Sequence, residues 1–281
     1  MSTGREPRFP YQARLDDLLR LYDEAQRALI AQVEAAVAAG RVNTARGRRA
    51  QLAALLRYLE DLGRRTDPVA RQVVQAAYAE SAARTAQQIA GLAFAAPELP
   101  GAFASVSAPA LRALEESMLG RLEDARQTVG RRINDVFARA QRASAIQALA
   151  GVNASPQAAA RALERNLRAQ RVTAFVDRAG RQWDLSAYSR MAMRTVTREA
   201  VVQGSIDRML SHSINLARVS DHNTKCPVCA PWEGRLIALA GDVQEFQGEP
   251  VSDTGDGIPP IHPNCEHTLQ PVATTLQGGV G

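Results

Sequence analysis

Apolar residues recur at steps of three and four from Leu15 onward, through Leu18, Leu19, Tyr22, Ala25, Leu29, Val33 and Val37, and Gly40 follows where a helix end favours glycine. This spacing predicts an amphipathic helix. A second stripe, Leu52, Leu55, Leu56, Leu59 and Leu62, closes at Gly63. A third opens at Asp67-Pro68, where Asp can cap and Pro suits the first helical position, and runs through Val69, Val73, Ala77 and Tyr78 to Ile89 and Leu92. Pro97, Pro100 and Pro109, with Gly101, interrupt the rhythm and predict a link between two helical layers. Ser107 before Pro109 reads as the next cap. The segment beyond carries Leu111, Leu114, Met118, Leu122, Val129, Ile133, Val136, Phe137 and Ile146, a helix long enough to expect a kink at Gly120 or Gly130.

Ser155-Pro156 predicts a further helix to about Arg168. The period then changes. Val172, Ala174 and Val176 alternate with polar residues, Asp177 to Gly180 has turn chemistry and Gln182-Trp183 resumes the extended pattern, so a short β-hairpin is expected near 172–184. A helix from Ser186 through Tyr188, Met191, Thr195 and Val201 should end near His212. Strands are expected at Ile214 to Val219 and Arg235 to Leu239. The fold class predicted is mainly α: an extended helical body with a short β-hairpin and a small C-terminal α+β zinc-knuckle module. Its domains would be an N-terminal helical region (1–100), a helical core with the hairpin (101–212) and the module (213–281).

Composition agrees with helices. The chain has 281 residues, 46% of them hydrophobic but only 5% aromatic, which is enough for a core and poor material for an all-β fold. No apolar run reaches the ~18 residues of a membrane span, and Arg5, Glu6 and Arg8 occupy the place of a secretory hydrophobic region, so neither membrane nor signal peptide is expected. Charge is unevenly placed. The net charge is +5, yet no Lys or Arg follows Arg235 while six acids do, Asp242, Glu245, Glu249, Asp253, Asp256 and Glu266, which leaves +11 on the rest. Of 34 basic residues only Lys225 is a lysine, so the positive charge is carried by planar guanidinium groups suited to phosphate or carboxylate. Arg190, Arg194 and Arg198, four apart, line one helix face that is either solvated or docks on an acidic partner or a phosphate backbone.

The candidate chemistry lies in the last fifth. Cys226 and Cys229 have C-x-x-C spacing, which lets two sulfurs approach one ion from a tight loop, and His262, Cys265 and His267 follow downstream. Three cysteines, all clustered with histidines, point to metal and away from a disulfide framework. Zinc needs four N or S ligands at ~2.0–2.3 Å, and three thiolates with one histidine close the shell, so one structural zinc without an open catalytic position is expected. His262 and His267 compete for the fourth place, and His222 is a more distant candidate. Trp232 and Gly234 are expected to pack and turn beside the site.

The run Phe175 to Trp183, the Tyr188 to Arg198 helix, the loop Cys226-Pro227-Val228-Cys229-Ala230-Pro231-Trp232-Glu233-Gly234 and the ending Pro260 to His267 resemble tailed-bacteriophage minor capsid proteins. The similarity is to the minor capsid protein 2 family, related in turn to the Mu F-like head morphogenesis proteins. It covers roughly residues 105 to 272 well, and the N-terminal helices by general character. The resemblance implies a low-copy virion component, present in host cytoplasm during assembly, that associates with the portal protein at the portal vertex and influences DNA packaging or ejection. Major capsid or scaffold protein and packaged DNA, bound without sequence preference, are further partners it suggests. In the wider group the last metal pair is often Cys-x-Cys where this chain has Cys265 and His267, which favours His267 as a ligand. Some relatives carry a toxin domain after this module; none is expected here.

An enzyme is the competing class. Asp221-His222-Asn223 beside a zinc knuckle is superficially similar to an HNH-like zinc-dependent nuclease, but that class places its catalytic histidine on a hairpin feeding a helix. A nucleic-acid-binding zinc protein would need a recognition helix, and the Gly-, Asp- and Pro-rich residues 240–261 predict none. No catalytic residue is therefore expected.

Overall fold

The computed structural model describes residues 10–92, 101–149, 175–176, 182–241, 243–252, 257–262 and 265–272. Among these, four helices precede a small sheet. Helix α1 is Pro10–Ala38, α2 Ala45–Ala90, α3 Ala102–Leu149 and α4 Leu185–Ser211; strands β1 (Phe175–Val176) and β2 (Gln182–Trp183) fall between α3 and α4. After α4 come β3 (Leu216–Val219), a 3-10 turn (Ala230–Trp232), β4 (Leu236–Ala238), β5 (Glu245–Phe246), β6 (Glu249–Ser252) and β7 (Leu269–Pro271). The fold is thus mainly helical with a five-stranded sheet, in the order β5-β6-β4-β3-β7. β3 runs antiparallel to both β4 and β7, whereas β4 and β6 are parallel.

The chain divides into two compact units, each made of separated segments. One comprises Leu15–Val69 and Leu119–Ala192, the other Met1–Arg14, Ala70–Met118 and Met193–Gly281. In the first unit the α1 stripe is buried as its spacing predicts, Leu18, Tyr22, Leu29 and Val33 being fully so. At its centre Arg126 of α3, 4% exposed, holds Asp67 through two hydrogen bonds of 2.8 and 3.0 Å, Glu123 at 2.8 Å and the Tyr22 hydroxyl at 2.9 Å. This network explains why α2 does not stop where its sequence suggests. The expected break at Gly63 and cap at Asp67-Pro68 are absent, and Pro68 lies inside a continuous 46-residue helix. Asp67 spends its carboxylate on Arg126, and Thr66 donates to the Leu62 carbonyl at 2.7 Å, so tertiary partners outweigh a proline that cannot donate a helix hydrogen bond. Likewise α3 starts at Ala102 with Pro109 inside it, and Ser107 donates back to the Ala104 carbonyl instead of capping.

The hairpin forms, pairing Phe175 with Trp183 and Val176 with Gln182, while its turn and the helix expected at 155–168 lie outside the described residues. Asp184 caps α4, its Oδ1 accepting the Ala187 N–H at 2.8 Å. The α4 face is rotated from the predicted one. Leu185, Ala192, Val196 and Ala200 are fully buried, whereas Tyr188, Met191 and Thr195 are only half-buried.

In the second unit, Ile89 of α2 and Val202 and Met209 of α4 form one core with Ile214, Ala217, Val219, Ile237 and Leu269. The sheet therefore shares its hydrophobic core with two helices and does not stand as a separate bead. α2 and α4 also meet backbone to side: a Cβ at Gly204 would collide with the Tyr78 carbonyl. No helix among the described residues is long and apolar enough to cross a membrane.

Candidate metal centre

β3 delivers the chain into residues 220–234, and short polar side chains fold that loop. Asp221 Oδ1 accepts the Asn223 N–H at 2.9 Å, Asn223 takes a left-handed φ of 51°, and Thr224 Oγ1 accepts the Cys226 N–H at 3.2 Å. The Ala230 N–H returns to the Cys226 carbonyl at 2.9 Å, closing the C-x-x-C turn. Gly234, at φ 73°, gives its N–H to the Val219 carbonyl and leads into β4. The second half of the site arrives on the segment before β7, where the Cys265 N–H bonds the His262 carbonyl at 3.0 Å.

The five side chains that the sequence singles out do not fall in one cluster of five. They form two triads that share Cys229: Cys226, Cys229 and His262, and Cys229, Cys265 and His267. His262 Nε2 lies 3.3 Å from both Cys226 Sγ and Cys229 Sγ, and Cys265 Sγ lies 3.4 Å from His267 Nδ1. Neighbouring ligands around a tetrahedral ion at ~2.0–2.3 Å stand about 3.5 Å apart, so these spacings suit zinc. Cys229, Cys265 and His267 are buried, Cys226 and His262 half-buried. Backbone N–H groups of Cys229 and Val228 hold the Cys226 thiol down to about 7, which favours the thiolate a metal requires, while burial and the neighbouring Cys226 push Cys229 up to about 11.

The sequence offered no reason to single out Glu233, which the structure places behind the site. His267 turns Nδ1 to Cys265 and shares Nε2 with Glu233 Oε1 at 2.8 Å, the carboxylate partner that metal-bound histidines usually have. Glu233 also accepts the N–H groups of His222 at 2.9 Å and Thr224 at 3.1 Å. Burial would raise its pKa, but the bonds from His267 and these two N–H groups outweigh that and lower it. His222 belongs to neither triad; its Nε2 shares a 2.7 Å hydrogen bond with Ser220 Oγ, and its ring stands edge-on to His267. Trp232 covers Gly257 so closely that a Cβ there would enter the indole.

The arginines of α4 fare differently from one another. Arg190 pairs with Asp23 at 2.7 Å, Arg194 is exposed, and Arg198 is half-buried against a cavity.

The model of the phage minor capsid protein 2 family matches residues 11–277. The chain belongs to that family. A protein called "Structural protein" from Lactococcus phage LL-H is 28% identical over 104 residues, which are 35% of this chain and 28% of that protein's length. No solved structure matches. Family membership supports a structural role in a phage particle, the role its motifs imply.

Proposed function

We propose that this chain attaches at the portal vertex of the phage head as a structural component and that one zinc ion ties its C-terminal module together. The family match from residue 11 to 277 carries the structural half of this reading. The zinc half is supported by two triads of N and S donors that share Cys229 and draw on segments more than thirty residues apart in sequence. A single ion beside Cys229 takes Cys226, Cys265 and one histidine, and the Glu233 bond favours His267 over His262. No open position is left for an activated water, so the zinc activates none and this centre leaves DNA intact. Portal protein is the first partner, with major capsid or scaffold protein beside it; the basic segments before residue 240 suit an acidic protein surface or packaged DNA.

The test is co-expression with the phage's portal protein followed by pull-down, together with elemental analysis of protein purified without added metal. Co-purification and one equivalent of zinc are expected. Absence of any portal complex at low salt, with normal infectious heads in phage lacking this protein, overturns the portal reading. Less than about a tenth of an equivalent of zinc in folded protein overturns the other.

A further inference from the structure

Between Tyr78 and Ile89 the inward face of α2 carries two hydroxyl residues beside the buried Ala82. Ser81 and Thr85 occupy that inward face at 8% and 2% exposure, bonded to Ser205 of α4 at 2.8 and 3.0 Å. Burying hydroxyls costs free energy unless they are bonded, and these three satisfy one another across the contact of α2 with α4. Above it lies a cavity of about 220 Å³ between α1, α2, α4 and the loop and strand of the sheet, wholly within one unit. Arg84 and Arg198 line it from two different helices, with Gln88 and Gln270 adding amide donors. Among the described lining residues the carboxylate is Asp221, whose Oδ1 is turned to the Asn223 N–H of its own loop.

We propose that this cavity is an oxyanion site that takes a phosphate group between Arg84 and Arg198. A carboxylate has two coplanar oxygens and is satisfied by one guanidinium fork, whereas guanidinium, hydroxyl and amide donors arriving from several elements suit the tetrahedral oxygens of phosphate. The volume is below the ~300–1,000 Å³ that encloses a whole drug-sized ligand, so the site holds the phosphate end of a molecule that extends outward. A DNA backbone phosphate and a free phosphate or phosphomonoester present the same chemistry. The inference depends on neither the portal nor the zinc reading.

Calorimetry on the full chain with inorganic phosphate, and separately with a short DNA duplex, tests it. Arg84→Gln and Arg198→Gln should each weaken phosphate binding by about tenfold or more, as loss of a charge-assisted hydrogen bond does, while Arg194→Gln, on the same helix but outside the cavity, should leave it unchanged. Gln270→Trp, at an exposed strand position, should block the cavity without touching the arginines, which keeps the test valid if an arginine variant misfolds. Duplex binding that phosphate displaces and Arg198→Gln weakens assigns the site to the DNA backbone; phosphate binding with duplex affinity unaffected by Arg198→Gln assigns it to a free phosphate. Either supports the site. No phosphate binding at millimolar concentration, equal loss in Arg194→Gln, or acetate bound as tightly as phosphate overturns it.

Discussion

Glu233 stands behind the Cys/His cluster proposed to hold zinc: one carboxylate bonds His267 and, through two backbone N–H groups, pins the loop that carries Cys226. Removing such a partner typically lowers metal affinity by ~10–100-fold. Glu233→Ala should do the same here, read by competition with a chelator, and Glu233→Gln, which keeps an acceptor oxygen, should fall between; wild-type affinity in Glu233→Ala would make the residue part of the loop alone. A second residue-scale expectation concerns pH. Burial pushes the Asp207 carboxyl above its ordinary value of 3.8, against the lowering effect of its hydrogen bonds with Tyr78 and Gln203. The folded state then holds this proton more tightly than the unfolded chain, so stability falls as pH rises from 3.8 to the raised value and levels beyond it. Urea unfolding across that range should show a shallower slope in Asp207→Asn than in wild type.

At the scale of elements, α2 and α4 are brought together by small residues. An alanine for glycine inside a helix ordinarily gains ~0.5–1 kcal/mol. At Gly204 the sign should reverse, because the new Cβ meets the Tyr78 carbonyl, a backbone atom that cannot swing aside, and overpacking of that kind costs about 1–3 kcal/mol. A lowered urea midpoint for Gly204→Ala checks this; a raised one would mean that the helices part easily. Element ends were the least legible part of this sequence. Asp67-Pro68 and Ser107-Pro109 have good capping chemistry, but a cap is a local preference of ~1 kcal/mol, whereas the buried Arg126 engages the half-buried Asp67, the exposed Glu123 and the buried Tyr22 at once.

For the whole molecule, Ile89, Val202 and Met209 share one core with the sheet that carries the Cys/His cluster. A structural zinc's binding free energy is folding free energy, so on the zinc reading proposed above its loss should not stay within residues 213–281. Chelation should raise amide exchange at 85–92 and 200–211 as well as in the strands, while most of the far-UV helix signal persists. Exchange confined to the strands would show that the sheet melts independently of those helices.

Periodicity alone determined that the chain is helical, because three- and four-residue spacing survives wherever a helix buries one side, and the α1 stripe is buried residue for residue as written. Residue type and spacing also singled out the candidate donors, since few side chains bind zinc and Cys226, Cys229, His262, Cys265 and His267 stand close enough in two short segments to be read together. Glu233 was illegible because a lone glutamate has no spacing signature, and the phosphate cavity because Arg84, Arg198 and Gln270 are brought together only by the packing of two helices and a strand. Tertiary structure likewise decided that α2 runs through Pro68 and that each unit collects distant segments, for those outcomes rest on contacts such as Arg126 with Asp67, whose partners are fifty-nine positions apart and leave no mark on local pattern.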